Sequence, residues 1–128
     1  MSNRVIIAET IVLAAIIALA VAYGVGLGAR EGSPPQTLVL AAKGIRFNEV
    51  NPTLEIRRGV PTEITIQNNE SGSILHDFVV VGLNARTAAP LQPGQSAVVR
   101  FTPTQTGAFA YTCTLHPGMM DGRLTVRP

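Results

Sequence analysis

The chain carries one cysteine, two histidines and three methionines. Set aside Met1, and these few metal-binding side chains gather in two places. Cys113, His116 and the pair Met119-Met120 sit together in Tyr111-Thr-Cys-Thr-Leu-His-Pro-Gly-Met-Met-Asp-Gly-Arg-Leu-Thr-Val126, and His76 stands upstream. A thiolate, two imidazoles and a thioether select copper. Two His and a Cys in a trigonal plane, with a weak axial Met, form a centre that passes single electrons. Soft sulfur stabilises Cu(I), imidazole suits both oxidation states, and a rigid scaffold keeps reorganisation small when the electron moves. Taken singly, each residue has an ordinary explanation. A lone Cys is usually a small buried hydrophobe, and adjacent Mets usually pack. Taken together, the only Cys, both His and both internal Mets fit one site. Metal ligation also accounts for an unpaired thiol in an oxidising compartment.

Such ligands need a stiff support, and the sequence supplies strands. Short runs rich in Val, Ile, Thr and Phe recur at Thr37–Lys43, Thr53–Arg57, Thr62–Gln67, Asp77–Val81, Ala97–Phe101, Ala108–Cys113 and Arg123–Arg127. Between them lie turn signals: Asn51-Pro52, Gly59, Asn68-Asn69-Glu70-Ser71-Gly72, Gln92-Pro93-Gly94, Pro103 and Pro117-Gly118. This is the all-β pattern, and seven or eight such strands predict two packed sheets. Alternation puts Phe109, Tyr111 and Cys113 on one face of their strand, and Leu124 and Val126 on the inner face of the last. The same parity carried back through Gly122 turns Met120 inward and Met119 outward, unless a bulge at Gly122 breaks it.

Hydrophobic residues make up 46% of the 128-residue chain, charged residues 14%, and the net charge is +2. That composition excludes a disordered chain. With no run of basic residues longer than Arg57-Arg58, it also lacks a nucleic-acid footprint. The single cysteine rules out an internal disulfide, a four-cysteine zinc site and a CxxC redox pair. At the N-terminus, Val5–Ala29 is apolar apart from Glu9, and its uncharged stretch Thr10–Ala29 reaches the ~20 residues that span a bilayer. The expected organisation is therefore a membrane anchor over residues 1–30, with a cleaved signal peptide ending near Ala18-Leu19-Ala20 as the alternative. A Gly/Ser/Pro linker over 31–36 and a folded domain over 37–128 follow. Arg4 before the apolar run favours a cytoplasmic N-terminus, which places the domain on the extracytoplasmic side, in the periplasm or at the cell exterior.

The segment Phe101-x-Pro103-x-x-x-Gly107-x-Phe109-x-Tyr111-x-Cys113-x-x-His116 resembles the approach to the copper loop in the cupredoxins, the family of plastocyanin, amicyanin, azurin and pseudoazurin. Gly44-Ile-Arg-Phe-Asn48, Leu54-Glu-Ile-Arg-Arg-Gly59 and Asn68-Asn69 before His76 resemble that family's earlier strands, so the likeness covers residues 37–128. The resemblance implies a Greek-key β-sandwich holding one type 1 copper, with His76, Cys113 and His116 as ligands and a methionine as axial ligand. Met-x-Gly at 120–122 matches the usual family ending and selects Met120. The interval His-x-x-Met matches amicyanin and selects Met119. Two positions depart from the family pattern: Asp77 stands where Asn is common, and Leu75 where plastocyanin and amicyanin have Pro. Both bear on the reduction potential.

The expected function is that of a membrane-tethered one-electron carrier, with a cytochrome or a membrane electron-transfer complex as redox partner. A subunit of a larger membrane redox complex, such as a terminal oxidase, is the alternative, although the dinuclear copper centre of oxidases needs two cysteines. Copper delivery fits less well, since delivery proteins use exposed Met/His clusters. Enzymatic activity is not expected, because four protein ligands leave no open position for substrate.

Overall fold

The computed structural model describes Ser33–Pro128, and the anchor expected over residues 1–30 lies outside the described residues. Among the described residues no helix is long and apolar enough to cross a membrane. Eight strands form: β1 (Gln36–Ala42), β2 (Leu54–Arg57), β3 (Thr62–Asn68), β4 (Val79–Val80), β5 (Ala85–Arg86), β6 (Ser96–Phe101), β7 (Gly107–Thr112) and β8 (Gly122–Arg127). They make a three-stranded sheet ordered β1-β3-β6 and a five-stranded sheet ordered β2-β8-β7-β4-β5. The first strand of each sheet pairs in parallel, β1 with β3 and β2 with β8, and the other pairings are antiparallel.

Alternating side chains explain the two layers. Along β3, Thr62, Ile64, Ile66 and Asn68 are buried and the residues between them are half-exposed, the signature of a strand with one face on a core. In β8, Leu124 and Val126 are buried while Arg123 and Arg127 are exposed. The core joins Leu40, Ile64, Ile66 and Val99 of the smaller sheet to Leu54, Ile56, Val80, Leu124 and Val126 of the larger. At one end it closes on three aromatic rings. Phe47 meets Phe78 and Tyr111 edge-on, each with centroids 5.8 Å apart. Tyr111 also donates from its hydroxyl to the Pro52 carbonyl at 2.6 Å. Burial raises the Tyr111 hydroxyl pKa to about 12. Phe78 lies two residues after His76 and Tyr111 two before Cys113, so this packed cluster supports the backbone on which two candidate ligands stand.

Three local features differ from the sequence reading. The strand expected over Asp77–Val81 is only Val79–Val80, because the preceding backbone groups bond elsewhere. His76 exchanges backbone hydrogen bonds with Leu91, Asp77 donates to the Cys113 sulfur, and Phe78 donates to the Thr87 hydroxyl. The two-residue strand β5 has no β-branched run to announce it. Gln36, placed in the linker by its neighbours, instead begins β1. Its side chain accepts from the Arg57 N–H and donates to the Thr62 hydroxyl, at 2.9 and 2.8 Å.

Candidate metal centre

Cys113 follows β7 directly, His116 lies on the loop from β7 to β8, and Met120 precedes β8. His76 comes from a different part of the chain and is fixed by its paired bonds with Leu91, His76 N to Leu91 O at 3.1 Å and Leu91 N to His76 O at 2.7 Å. Asn68, fully buried at the end of β3, braces the same region. Its amide donates to the Ile74 and Leu91 carbonyls at 2.9 and 2.8 Å, and its oxygen accepts from the Glu70 N–H. The segment carrying His76 is thereby tied to the sheet on both sides.

The three nitrogen and sulfur donors converge. One ligand atom each from His76, Cys113 and His116 lie within 4.8 Å of one another. Cys113 Sγ is 3.8 Å from His76 Nδ1 and 3.5 Å from His116 Nδ1, and the imidazole centroids are 4.9 Å apart. His76 and Cys113 are fully buried, whereas His116 is partly exposed. The adjacent methionines diverge: Met120 is 0% exposed and Met119 is 55% exposed, the orientation that parity through Gly122 predicts. The β7–β8 ladder is continuous to Tyr111 opposite Gly122, so no bulge interrupts it there. Asn51 holds the turn from across the fold. Its side-chain amide donates to the Met119 carbonyl at 2.9 Å, and its oxygen accepts from the Phe47 N–H.

Electrostatics around the sulfur are set by burial and by Asp77. Desolvation pushes the Cys113 thiol pKa up, against the lowering effect of the Asp77 and Leu115 N–H groups, and the Asp77 carboxylate adds to the rise. The thiol must lose its proton to bind a metal, so metal uptake here is coupled to proton release. Asp77 also organises the loop. One carboxylate oxygen accepts from the Thr114 N–H at 2.6 Å and the other from the Thr114 hydroxyl. The carboxylate thus accepts hydrogen bonds from the ligand loop, and it places a negative charge beside the sulfur.

Two residues near the site were not distinguishable in the sequence. Glu70 reads as part of a polar turn, and Asn51 as turn punctuation before Pro52. Asn51 reaches a partner 68 positions away, and no local pattern encodes such a contact. Glu70 has its side chain only 6% exposed and lies 3.0 Å from His76 Nε2. Its pKa is pushed up by burial, but the Ile45 N–H, His76 and the Gly44 N–H outweigh that and hold it below the ordinary carboxylate value.

The donor set fits copper. A buried thiolate and two imidazoles, with a buried methionine ending the same loop, are the soft and borderline donors that copper prefers.

Comparisons with known proteins agree with this geometry. A family model described as a cupredoxin-like domain matches residues 11–126. A copper-containing nitrite reductase of Rhizobium sullae is 30% identical over a 99-residue match that covers 69% of this chain and 26% of the relative. The chain therefore spans about a quarter of that relative's length. Among solved structures, reduced auracyanin from Roseiflexus castenholzii superposes with a TM-score of 0.62 at 21% identity, covering 72% of this chain and 97% of the other. Auracyanin A, a "blue" copper protein from Chloroflexus aurantiacus, gives a TM-score of 0.62 at 21% identity, covering 73% of this chain and 100% of its own. These two likenesses establish the fold.

Proposed function

Since this chain belongs to the family of cupredoxin-like domains, we propose that it is a one-electron carrier holding a single type 1 copper. His76, Cys113 and His116 are the strong ligands and Met120 is the weak axial one. The observation that carries this reading is the convergence of the only cysteine with both histidines inside 4.8 Å. Bound copper supplies exchange of one electron between Cu(II) and Cu(I), and the protein supplies a rigid, nearly closed ligand cage. Four protein donors leave no open position for a substrate, so the reading is of a carrier and not an enzyme. The apolar run Val5–Ala29 supports a membrane tether, with the copper domain on the extracytoplasmic side and a cytochrome or a membrane electron-transfer complex as partner.

The exit for the electron is His116. It is the partly exposed ligand, and its loop neighbours are apolar or small: Leu115 is 44% and Met119 55% exposed, with Pro117 and Gly118 between. Small apolar faces suit the brief contacts of redox partners, which lie at the low end of interface size. The test is the rate at which the reduced, copper-loaded chain exchanges electrons with its partner. Desolvating an unpaired ammonium in such a contact costs at least about 1 kcal/mol, so Met119→Lys slows exchange roughly fivefold or more while the visible spectrum stays unchanged. An unaltered rate contradicts the assignment of this face.

The axial ligand is tested by reduction potential. Losing the axial donor lowers the coordination number, which Cu(I) tolerates better than Cu(II), and the axial ligand tunes the potential. Met120→Leu therefore keeps copper and colour but raises the potential, and Met119→Leu leaves it nearly unchanged. The reverse pattern would assign the axial role to Met119.

A further inference from the structure

We propose that Glu70 is the positioning residue of the site: its carboxylate fixes His76 as the Nε2–H tautomer, aims Nδ1 at the copper, and lowers the reduction potential through its negative charge. The inference rests on the copper reading above and deepens it. Its starting point is one oxygen with two partners. Glu70 Oε1 lies 3.0 Å from His76 Nε2 and accepts from the Ile45 N–H at 2.8 Å. An ionised carboxylate has acceptors only, so in this contact the imidazole nitrogen must be the donor. With the proton held on Nε2, Nδ1 keeps its lone pair, and Nδ1 is the nitrogen that faces Cys113 Sγ at 3.8 Å. The structure therefore holds the ligand nitrogen ready through a bond on the far side of the ring.

The surroundings show that this carboxylate is held in place. Its side chain is only 6% exposed, and the His76 side chain is fully buried. Its own N–H donates to the Asn68 side chain at 3.0 Å, which fixes the turn that presents it. Its second partner, Ile45, is a β-branched residue at φ 54°, in the left-handed region such side chains avoid. Backbone strain of that kind persists only where the surroundings over-determine it, and it clusters at functional sites. Here the strained amide is the one bonded to Glu70. A carboxylate that orients a ligating imidazole from behind is worth about 10–100-fold in metal affinity.

The test uses the full 128-residue chain and three readouts: long-range proton–nitrogen correlations of His76 in the copper-free state, affinity for copper, and reduction potential of the copper-loaded state. Wild type is expected to show the Nε2–H tautomer alone. Glu70→Leu removes the acceptor, so the Nδ1–H form appears, copper affinity falls about tenfold or more, and the potential rises. Glu70→Gln keeps an oxygen that accepts from both partners and removes the charge. It restores the tautomer and most of the affinity, yet leaves the potential above wild type. A role limited to packing would instead lower thermal stability in the variants with no change of tautomer or potential, and that result overturns the proposal. So does an Nδ1–H tautomer in wild type, or a wild-type potential in Glu70→Gln, even where Glu70→Leu fails to fold. Should the wild-type chain bind no copper, the copper reading fails, and the tautomer change in the copper-free chain still decides the role of Glu70.

Discussion

Cys113→Ser leaves a folded domain that has lost its colour and its hold on copper. The sulfur is fully buried and lies within 3.8 Å of the Nδ1 atoms of both imidazoles, so it is central to the donor set. A serine hydroxyl is a hard oxygen that stays protonated near neutral pH, and copper binding loses its one soft anionic donor. Removing a group behind a ligand costs about 10–100-fold in affinity, and removing this ligand itself is expected to exceed the upper figure of about 100-fold. The fold is affected far less. The new hydroxyl takes the Asp77 N–H that now points at sulfur at 3.4 Å, which limits the stability loss to about 1 kcal/mol. Thermal unfolding separates the two effects. Copper at about 100 times its Kd stabilises wild type by roughly 2.7 kcal/mol, and the same copper leaves the melting temperature of Cys113→Ser where it was. A variant that still gained stability from copper would place the metal elsewhere.

Gly122→Ala unfolds the domain at a much lower temperature. A Cβ at this position would lie inside the Tyr111 ring, overlapping Cζ, Oη and Cε1. Tyr111 has nowhere to go. It is fully buried, its hydroxyl is bonded to the Pro52 carbonyl, and its ring is packed on Phe47 and Phe78. Overpacking a dense core costs about 1–3 kcal/mol where neighbours can shift, and here they cannot. The expected loss is thus about 3 kcal/mol or more, a fall in Tm on the order of 12–24 °C for a domain of this size. Gly94→Ala is the control, since its Cβ would meet nothing and only its positive φ resists, at about 1–2 kcal/mol. Adding Tyr111→Phe to Gly122→Ala brings no rescue, because Cζ and Cε1 still overlap. Equal melting temperatures for the Gly122 and Gly94 variants would refute this account of why glycine follows Met120-Asp121.

The contrast between these residues shows what the sequence could reveal. Cys113 and His116 share one short loop with the two methionines, so spacing groups the thiol with the imidazole, and strand parity turns Met120 inward. His76 was identified by scarcity, as the only other histidine in the chain. Strand alternation reveals the core positions of β7 and β8. What stayed hidden depends on contacts between distant segments. Glu70 is six residues from His76, but only the fold of the turn between them shows that its carboxylate meets the ring. Asn51 and Met119 meet because β2 and β8 pair in parallel at the edge of one sheet. The strand expected at Asp77–Val81 shortens because Asp77 and Phe78 spend their N–H groups on Cys113 and Thr87, a competition no local propensity can express.

The most direct test of the central claim is the visible absorption spectrum of the copper-loaded chain. A buried cysteine thiolate bound to Cu(II) beside two imidazoles gives an intense charge-transfer band. One equivalent of reductant should bleach it and one equivalent of oxidant should restore it. Weak ligand-field absorption alone, or a band that does not follow a single electron per chain, would contradict the assignment of His76, Cys113 and His116 as a one-electron copper centre.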